Sequence, residues 1–105
     1  MSGISTHVLD TEKGRPADGI PVILMEWHAG EWNLLSENIT DDNGRVAQLL
    51  PIGESLQPHL YRLTFRTAGP FFPEVSIIFK VEDAASHYHV PLLLSSYGYT
   101  TYRGS

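Results

Sequence analysis

Cysteine is absent from the 105-residue chain, which excludes disulfide bridges, thiolate metal ligands and cysteine nucleophiles. Basic residues are scarce, since seven Lys and Arg face twelve Asp and Glu and the formal net charge is −5. Such a chain offers no basic footprint for nucleic acid and no polybasic patch for an anionic membrane. No hydrophobic run approaches the roughly 20 residues of a membrane-spanning helix. We therefore expect neither a nucleic-acid partner nor a membrane partner.

The first residues, MSGISTHVLD, lack the charged and apolar segments of a signal peptide, so we expect a cytoplasmic protein. With 42% hydrophobic and 18% charged residues, the composition suits a single globular domain over residues 1–105. A chain of this size buries only about two thirds of its unfolded surface. Oligomerisation would therefore be a natural supplement to its core.

Short β-branched and aromatic runs, separated by Gly, Pro, Asn and Asp, recur along the whole chain. This pattern is typical of β-strands, and no segment of helix length shows the helical period. Only residues 51–58 and 82–86 could form a helical turn. Eight strands are predicted, at residues 4–10, 20–28, 32–40, 45–50, 59–65, 74–81, 87–94 and 99–103. Their spacing predicts an all-β fold, either a two-sheet sandwich or a small barrel.

The segment DDNG (41–44) is a strong hairpin signal, because Asn-Gly readily supplies the positive φ values of a type I′ turn. We therefore predict that the strands on either side of it form a hairpin. Arg45 would then begin the second strand, held in place by a rigid turn. Arginines in such positions are commonly solvated, so position alone leaves its role open.

Histidine is the residue type best suited to catalysis or metal binding in this sequence. The chain has five, at His7, His28, His59, His87 and His89. In the predicted strand HYHV, His87 and His89 point to one face, about 6.5–7 Å apart. With a third histidine they could bind zinc; the alternative is two partly buried, hydrogen-bonded histidines without a metal. His7 shares its strand face with Ser5 and Leu9, and taken alone it fits a structural role as well as a functional one.

The tail, residues 97–105 (YGYTTYRGS), holds three tyrosines, two threonines and an arginine. The last residues of most domains are instead poorly ordered. Alternation sends Tyr99, Thr101 and Arg103 to one face of a last strand, and Thr100, Tyr102 and Gly104 to the other. Good β-formers of this kind fit a plain C-terminal edge strand. They are equally compatible with a tail that forms part of a functional site.

Four segments in order carry a family resemblance: STHVLD with the GRPA and PV that follow, TDDNGR, FFPEV, and HYHVPLLLSSYGYTTYRGS. They resemble the transthyretin-like proteins, and specifically the 5-hydroxyisourate hydrolases of that family. The resemblance implies an eight-stranded, two-sheet β-sandwich with at most one short helix. It also implies a homotetramer, a dimer of dimers, with sites where subunits meet. The implied reaction converts 5-hydroxyisourate to 2-oxo-4-hydroxy-4-carboxy-5-ureidoimidazoline in urate degradation, with neither metal nor cofactor.

The positions that match the family's site are His7, Arg45, His89, Tyr102, Arg103, Gly104 and Ser105. The resemblance implies that the two histidines share the roles of general base and of orienting water or the leaving nitrogen. Arg45 would hold the anionic substrate. Tyr102 would cover the substrate ring, and the carboxylate of Ser105 would bind a ring N–H or Arg103. His87 is expected to support His89.

Two other functions use the same fold. One is a transthyretin-like carrier that binds a small ligand in a central channel, and the other is an interaction protein whose tail serves only assembly. Two imidazoles and a guanidinium favour the enzyme, because a carrier has no need of these groups on its ligand.

Overall fold

The computed structural model describes residues 2–105, and these residues form two packed β-sheets. The strands are β1 (Gly3–Asp10), β2 (Arg15–Pro16), β3 (Pro21–His28), β4 (Glu31–Ile39), β5 (Arg45–Val46), β6 (Leu60–Phe65), β7 (Val75–Lys80), β8 (His87–Leu94) and β9 (Tyr99–Thr101). The predicted all-β sandwich is confirmed. Within residues 2–105 there is no helix, and so none that could cross a membrane.

The first sheet has the order β2-β1-β8-β9, with β5 also paired to β1, and the second has the order β4-β3-β6-β7. The pairing of β1 with β8 is parallel, whereas every other named pair is antiparallel. It runs from Gly3 opposite His87 to Asp10 opposite Leu94. Two segments from opposite ends of the chain thus lie side by side in the middle of this sheet.

Alternation along the strands separates a core face from an outer face. Ile4 and Val8 of β1 are fully buried, whereas His7 between them is partly exposed. Across the sandwich, Tyr61 and Phe65 of β6 are fully buried as well. Burying each such side chain contributes about 1.5–3 kcal/mol. The apolar core therefore lies between the sheets, and Ser5 and His7 of β1 lie on the outer face of the first sheet.

The segment DDNG forms a tight turn, but not the predicted type. The Gly44 N–H donates to the Asp41 carbonyl at 2.9 Å, and Gly44 has a φ of 74°. Neither central residue, Asp42 or Asn43, has the positive φ that a type I′ turn requires. The predicted hairpin is also wrong, because β4 pairs with β3 while β5 pairs with β1. The turn instead carries the chain from the second sheet to the first.

Two predicted strands end two or more residues earlier than the sequence suggested. The strand predicted at 45–50 ends at Val46, and Leu49 and Leu50 are buried in the core from an irregular segment. Their burial explains why the apolar run looked like a strand. The last strand ends at Thr101, after which Gly104 makes an isolated bridge to His89.

Candidate active site

The outer face of the first sheet gathers polar residues from β1, β5 and β8. His7 lies directly opposite Arg45 in the antiparallel pairing of β1 with β5. Ser5 lies opposite His89 in the parallel pairing of β1 with β8. Because Ser5 and His7 are two residues apart, they share a face, and their partners face the same way. Three chain segments thereby converge on one surface.

The backbone of Arg45 is fixed by the turn before it. The Asp41 carboxylate accepts hydrogen bonds from the N–H groups of Arg45 (3.0 Å) and Asn43 (2.9 Å). The bond from the Arg45 N–H is the largest cause of the lowered pKa of Asp41. Gly44 lies so close to β1 that a Cβ there would be 2.3 Å from the carbonyl oxygen of Val8. Only glycine fits at this position, and the following Arg45 side chain is left exposed.

A single hydroxyl joins the two histidines of HYHV. The Oγ of Ser5 lies 2.8 Å from Nε2 of His87 and 2.8 Å from Nδ1 of His89. Both are ordinary hydrogen-bond distances. Ser5 is buried, His89 is partly buried and His87 is exposed. The hydrogen bonds of Ser5 therefore link the partly buried imidazole of His89 to an imidazole that contacts solvent.

The pKa of His89 is lowered from its ordinary value of 6.5. Burial is the main cause, because it disfavours the charged imidazolium, and His7, His87 and Arg45 act in the same direction. His89 is consequently a neutral imidazole near neutral pH. A neutral imidazole can accept a proton, which is what a general base must do.

A cavity of about 300 Å³ lies on this face, at the small end of the range for ligand pockets. It is lined by Ser5, Thr6, Arg45, Val46, Ala47, His87, His89 and Ser105. Three of the predicted site residues, Arg45, His89 and Ser105, thus meet at one cavity. His7 lies beside it through its pairing with Arg45 but is not part of its wall.

The tail reaches this cavity through its last two residues. The Gly104 N–H donates to the His89 carbonyl at 2.8 Å, and Ser105 lies on the cavity wall. Tyr102 and Arg103 lie elsewhere, in a second groove of about 320 Å³. There the Arg103 guanidinium stacks over the ring of Tyr88, with 4.4 Å from Cζ to the ring centroid. A single chain therefore does not bring Tyr102 and Arg103 to the histidine cavity.

The metal alternative for HYHV depended on a third ligand near His87 and His89. Over residues 2–105, no three His, Asp or Glu side chains are grouped so that they could hold a metal ion. Both imidazoles contact Ser5 instead.

Ser5 is the member of this cluster that sequence reasoning did not single out. Its signal was present, because alternation places it on the same strand face as His7. The parallel pairing that sets Ser5 opposite His89 leaves no local trace in the sequence, so nothing connected the two.

The HIUase/Transthyretin family model matches residues 4–104. The chain belongs to this family. It is 41% identical over 110 residues to the 5-hydroxyisourate hydrolase of Salmonella dublin, covering 97% of this chain and 80% of that protein. The solved 5-hydroxyisourate hydrolase of Klebsiella pneumoniae superposes with a TM-score of 0.82 at 32% identity, covering 98% of this chain and 99% of that one. Sea bream transthyretin, solved in complex with thyroxine, gives a TM-score of 0.87 at 26% identity, covering 97% and 94%. The HIUase/Transthyretin family thus includes both hydrolases and a thyroxine-binding protein.

Proposed function

We propose that this protein is a hydrolase that converts 5-hydroxyisourate to 2-oxo-4-hydroxy-4-carboxy-5-ureidoimidazoline in urate degradation. The observation that carries the proposal is the cavity where Arg45 and a His89 of lowered pKa meet, with His7 beside them. The names of the similar hydrolases from Salmonella dublin and Klebsiella pneumoniae support the same substrate. Water is the nucleophile in this reaction, and no cofactor is required.

His89 and His7 are proposed to handle the protons. Opening a cyclic amide requires water to attack the carbonyl carbon, and an imidazole is the side chain best suited to accept the proton near neutral pH. His89 would take that proton as the water oxygen bonds to the carbonyl carbon. As the C–N bond breaks, the protonated His89 returns this proton to the leaving nitrogen, and we propose that His7 orients that nitrogen.

Arg45 is proposed to bind the anionic substrate and to stabilise the oxyanion that develops on attack. Its guanidinium is planar and always charged, so it can donate two parallel hydrogen bonds to adjacent oxygens. A well-placed donor to an oxyanion contributes about 3–4 kcal/mol to lowering the barrier. The hydrogen bond from the Arg45 N–H to Asp41 suits this role, because it fixes the point on the cavity wall from which the side chain extends.

The assembled site is proposed to lie where subunits of a homotetramer, a dimer of dimers, meet. Two features support this: β7 and β9 are outer strands of their sheets, and Tyr102 is 56% exposed. A free strand edge is a ready surface for a second copy of the chain. Sedimentation velocity would test this assembly, because a tetramer has about four times the 11.7 kDa mass of one chain.

The direct test is the decay of 5-hydroxyisourate generated freshly from urate by uricase and followed by ultraviolet absorbance. We expect decay to accelerate in proportion to protein concentration. A His28→Ala variant is a matched control, since His28 is an exposed imidazole on the second sheet and should leave the rate unchanged. Decay at the spontaneous rate with intact protein would refute the proposal.

A carrier function is the second candidate, favoured by the likeness to sea bream transthyretin. Against it, the cavity wall holds two imidazoles and a guanidinium, which suit a reacting anionic substrate better than an apolar ligand. Titration with thyroxine in a calorimeter would separate the two. Saturable binding without any acceleration of 5-hydroxyisourate decay would replace the enzyme with the carrier.

A further inference from the structure

Ser5 has no role so far and His87 only a supporting one, yet the Ser5 hydroxyl lies within hydrogen-bond distance of the proposed base, His89, and of His87. We propose that Ser5 and His87 are positioning residues, which hold His89 in the tautomer with its proton on Nδ1 and its Nε2 unprotonated. This inference rests on the proposed role of His89 as the base. It adds two residues, neither of which contacts the reacting atoms, to the machinery of the site.

The Ser5 hydroxyl oxygen lies between two imidazole nitrogens, and its single hydrogen can be donated to only one of them. The Ser5 hydroxyl has one hydrogen to donate, and it lies 2.8 Å from a nitrogen of each imidazole. It therefore donates to one ring and accepts an N–H from the other. If Ser5 donates to Nε2 of His87, then His89 must donate its Nδ1–H to Ser5. If Ser5 donates to Nδ1 of His89, then the proton of a neutral His89 is on Nε2 instead.

Only the first arrangement leaves Nε2 of His89 free to accept a proton. That nitrogen has no hydrogen-bond partner in residues 2–105, and the ring lies on the cavity wall. Arg45 and His89 lie on the wall of the same cavity, and a cation there favours a ring that presents a lone pair to the cavity over one that presents an N–H. We therefore assign the first arrangement to the resting protein.

Burial makes the bridge obligatory. Ser5 is only 8% exposed, and its hydroxyl has no third partner within residues 2–105. A buried hydroxyl that failed to donate would remain unsatisfied, which is unfavourable. His87 is exposed, so its Nδ1–H can donate to water while its Nε2 accepts from Ser5. When His87 accepts the hydrogen bond from the Ser5 hydroxyl, that hydroxyl can only accept from His89. The tautomer of His89 is therefore set by His87 through Ser5.

Substitutions at position 87 separate this role from simple packing. In His87→Gln the amide oxygen can still accept from Ser5, so kcat should stay within about threefold of the unmodified protein. In His87→Leu no acceptor is left, so Ser5 should donate to His89 and kcat should fall about tenfold or more, within the about 10²–10⁴-fold contribution of a positioned base. KM should change little in both variants, because neither residue binds the substrate in this proposal. Equal kcat losses in the Gln and Leu variants would overturn it.

A double variant tests whether the two residues act as one unit. Ser5→Ala should lower kcat as much as His87→Leu, and the combined variant should lose no more than either alone. Multiplying losses would show independent roles and overturn the proposal. Ser76→Ala is a matched control, since the Ser76 hydroxyl bonds to Thr64 on the second sheet, and it should leave kcat unchanged.

The tautomer itself can be read without substrate, by nitrogen NMR of protein labelled with ¹⁵N-histidine. In the unmodified protein and in His87→Gln, the proton of neutral His89 should be on Nδ1. In His87→Leu it should move to Nε2. A proton on Nε2 in the unmodified protein, or on Nδ1 in every variant, would overturn the proposal. Because this measurement does not use catalysis, it decides the matter even if the protein fails to hydrolyse 5-hydroxyisourate.

Discussion

A methyl group added to Gly104 should disrupt the candidate site while leaving the sandwich intact. A Cβ at this position would lie 2.5 Å from Cδ2 of the His89 ring, where ordinary contacts begin near 3.4 Å. Either the ring or the tail must therefore move by about 1 Å, and a misplacement of that size can cost about 10²-fold in rate. Gly104 has no positive φ, so the backbone itself is not strained by alanine. The perturbation is steric and directed at one imidazole.

Steady-state kinetics with 5-hydroxyisourate would show which group yields. A displaced His89 ring should lower kcat, whereas a displaced tail should break the Gly104 bond to the His89 carbonyl and raise KM. The midpoint of thermal unfolding should fall by less than about 4 °C, because the contact lies outside the core. Gly98→Ala is the matched control in the same tail, since its Cβ would meet Ser95 Oγ at an ordinary 3.5 Å. Unchanged kcat and KM in Gly104→Ala would refute the reasoning.

Three further predictions follow from the same geometry. Arg45→Ala should lower kcat about 10²-fold or more while the protein keeps its fold and assembly, as checked by circular dichroism and sedimentation, and full activity would remove Arg45 from the site. Because burial and nearby positive groups lower the pKa of His89 below 6.5, the pH at which kcat/KM has fallen to half on the acid side should lie below 6.5. A half-maximal point above pH 6.5 would contradict His89 as the base. Gly44→Ala should destabilise the fold by about 1–3 kcal/mol or more, because φ is 74° and the new Cβ would lie 2.3 Å from the Val8 oxygen; an unchanged denaturant midpoint would contradict this.

The fold was largely predictable because its signals are local. Alternation and turn residues located the long strands to within a residue or two, and β8 (His87–Leu94) was predicted with its observed bounds. The predicted hairpin at residues 41–44 is wrong because turn residues indicate a reversal of the chain and not which strands the turn connects. The chain crosses there from one sheet to the other, and beyond the crossing Leu49 and Leu50 are buried in the core without belonging to a strand. The cytoplasmic location and the tetramer stay predictions.

The site was predictable as a set of residues and not as a geometry. Family resemblance singled out His7, Arg45 and His89, and their roles stay predictions. The residue that joins the histidines, Ser5, could not be found from spacing, because it is 82 residues from His87 and 84 from His89. Contacts at such separations depend on strand pairing across the whole sheet, which local patterns do not contain.

The register between β1 and β8 is what places Ser5 between the two imidazoles, and the core sets that register. Ile4, Val8 and Leu92 are fully buried on the opposite face of the same strands, and the Thr6 hydroxyl donates to the Val90 carbonyl at 2.6 Å. Sliding β1 by one residue would carry its apolar residues to the outer face and Ser5 into the core. The loss of that burial, at about 1.5–3 kcal/mol for each large side chain, forbids the slip. The polar face is therefore held in position by the apolar packing of the same two strands, so core substitutions in β1 or β8 should alter catalysis before they abolish folding.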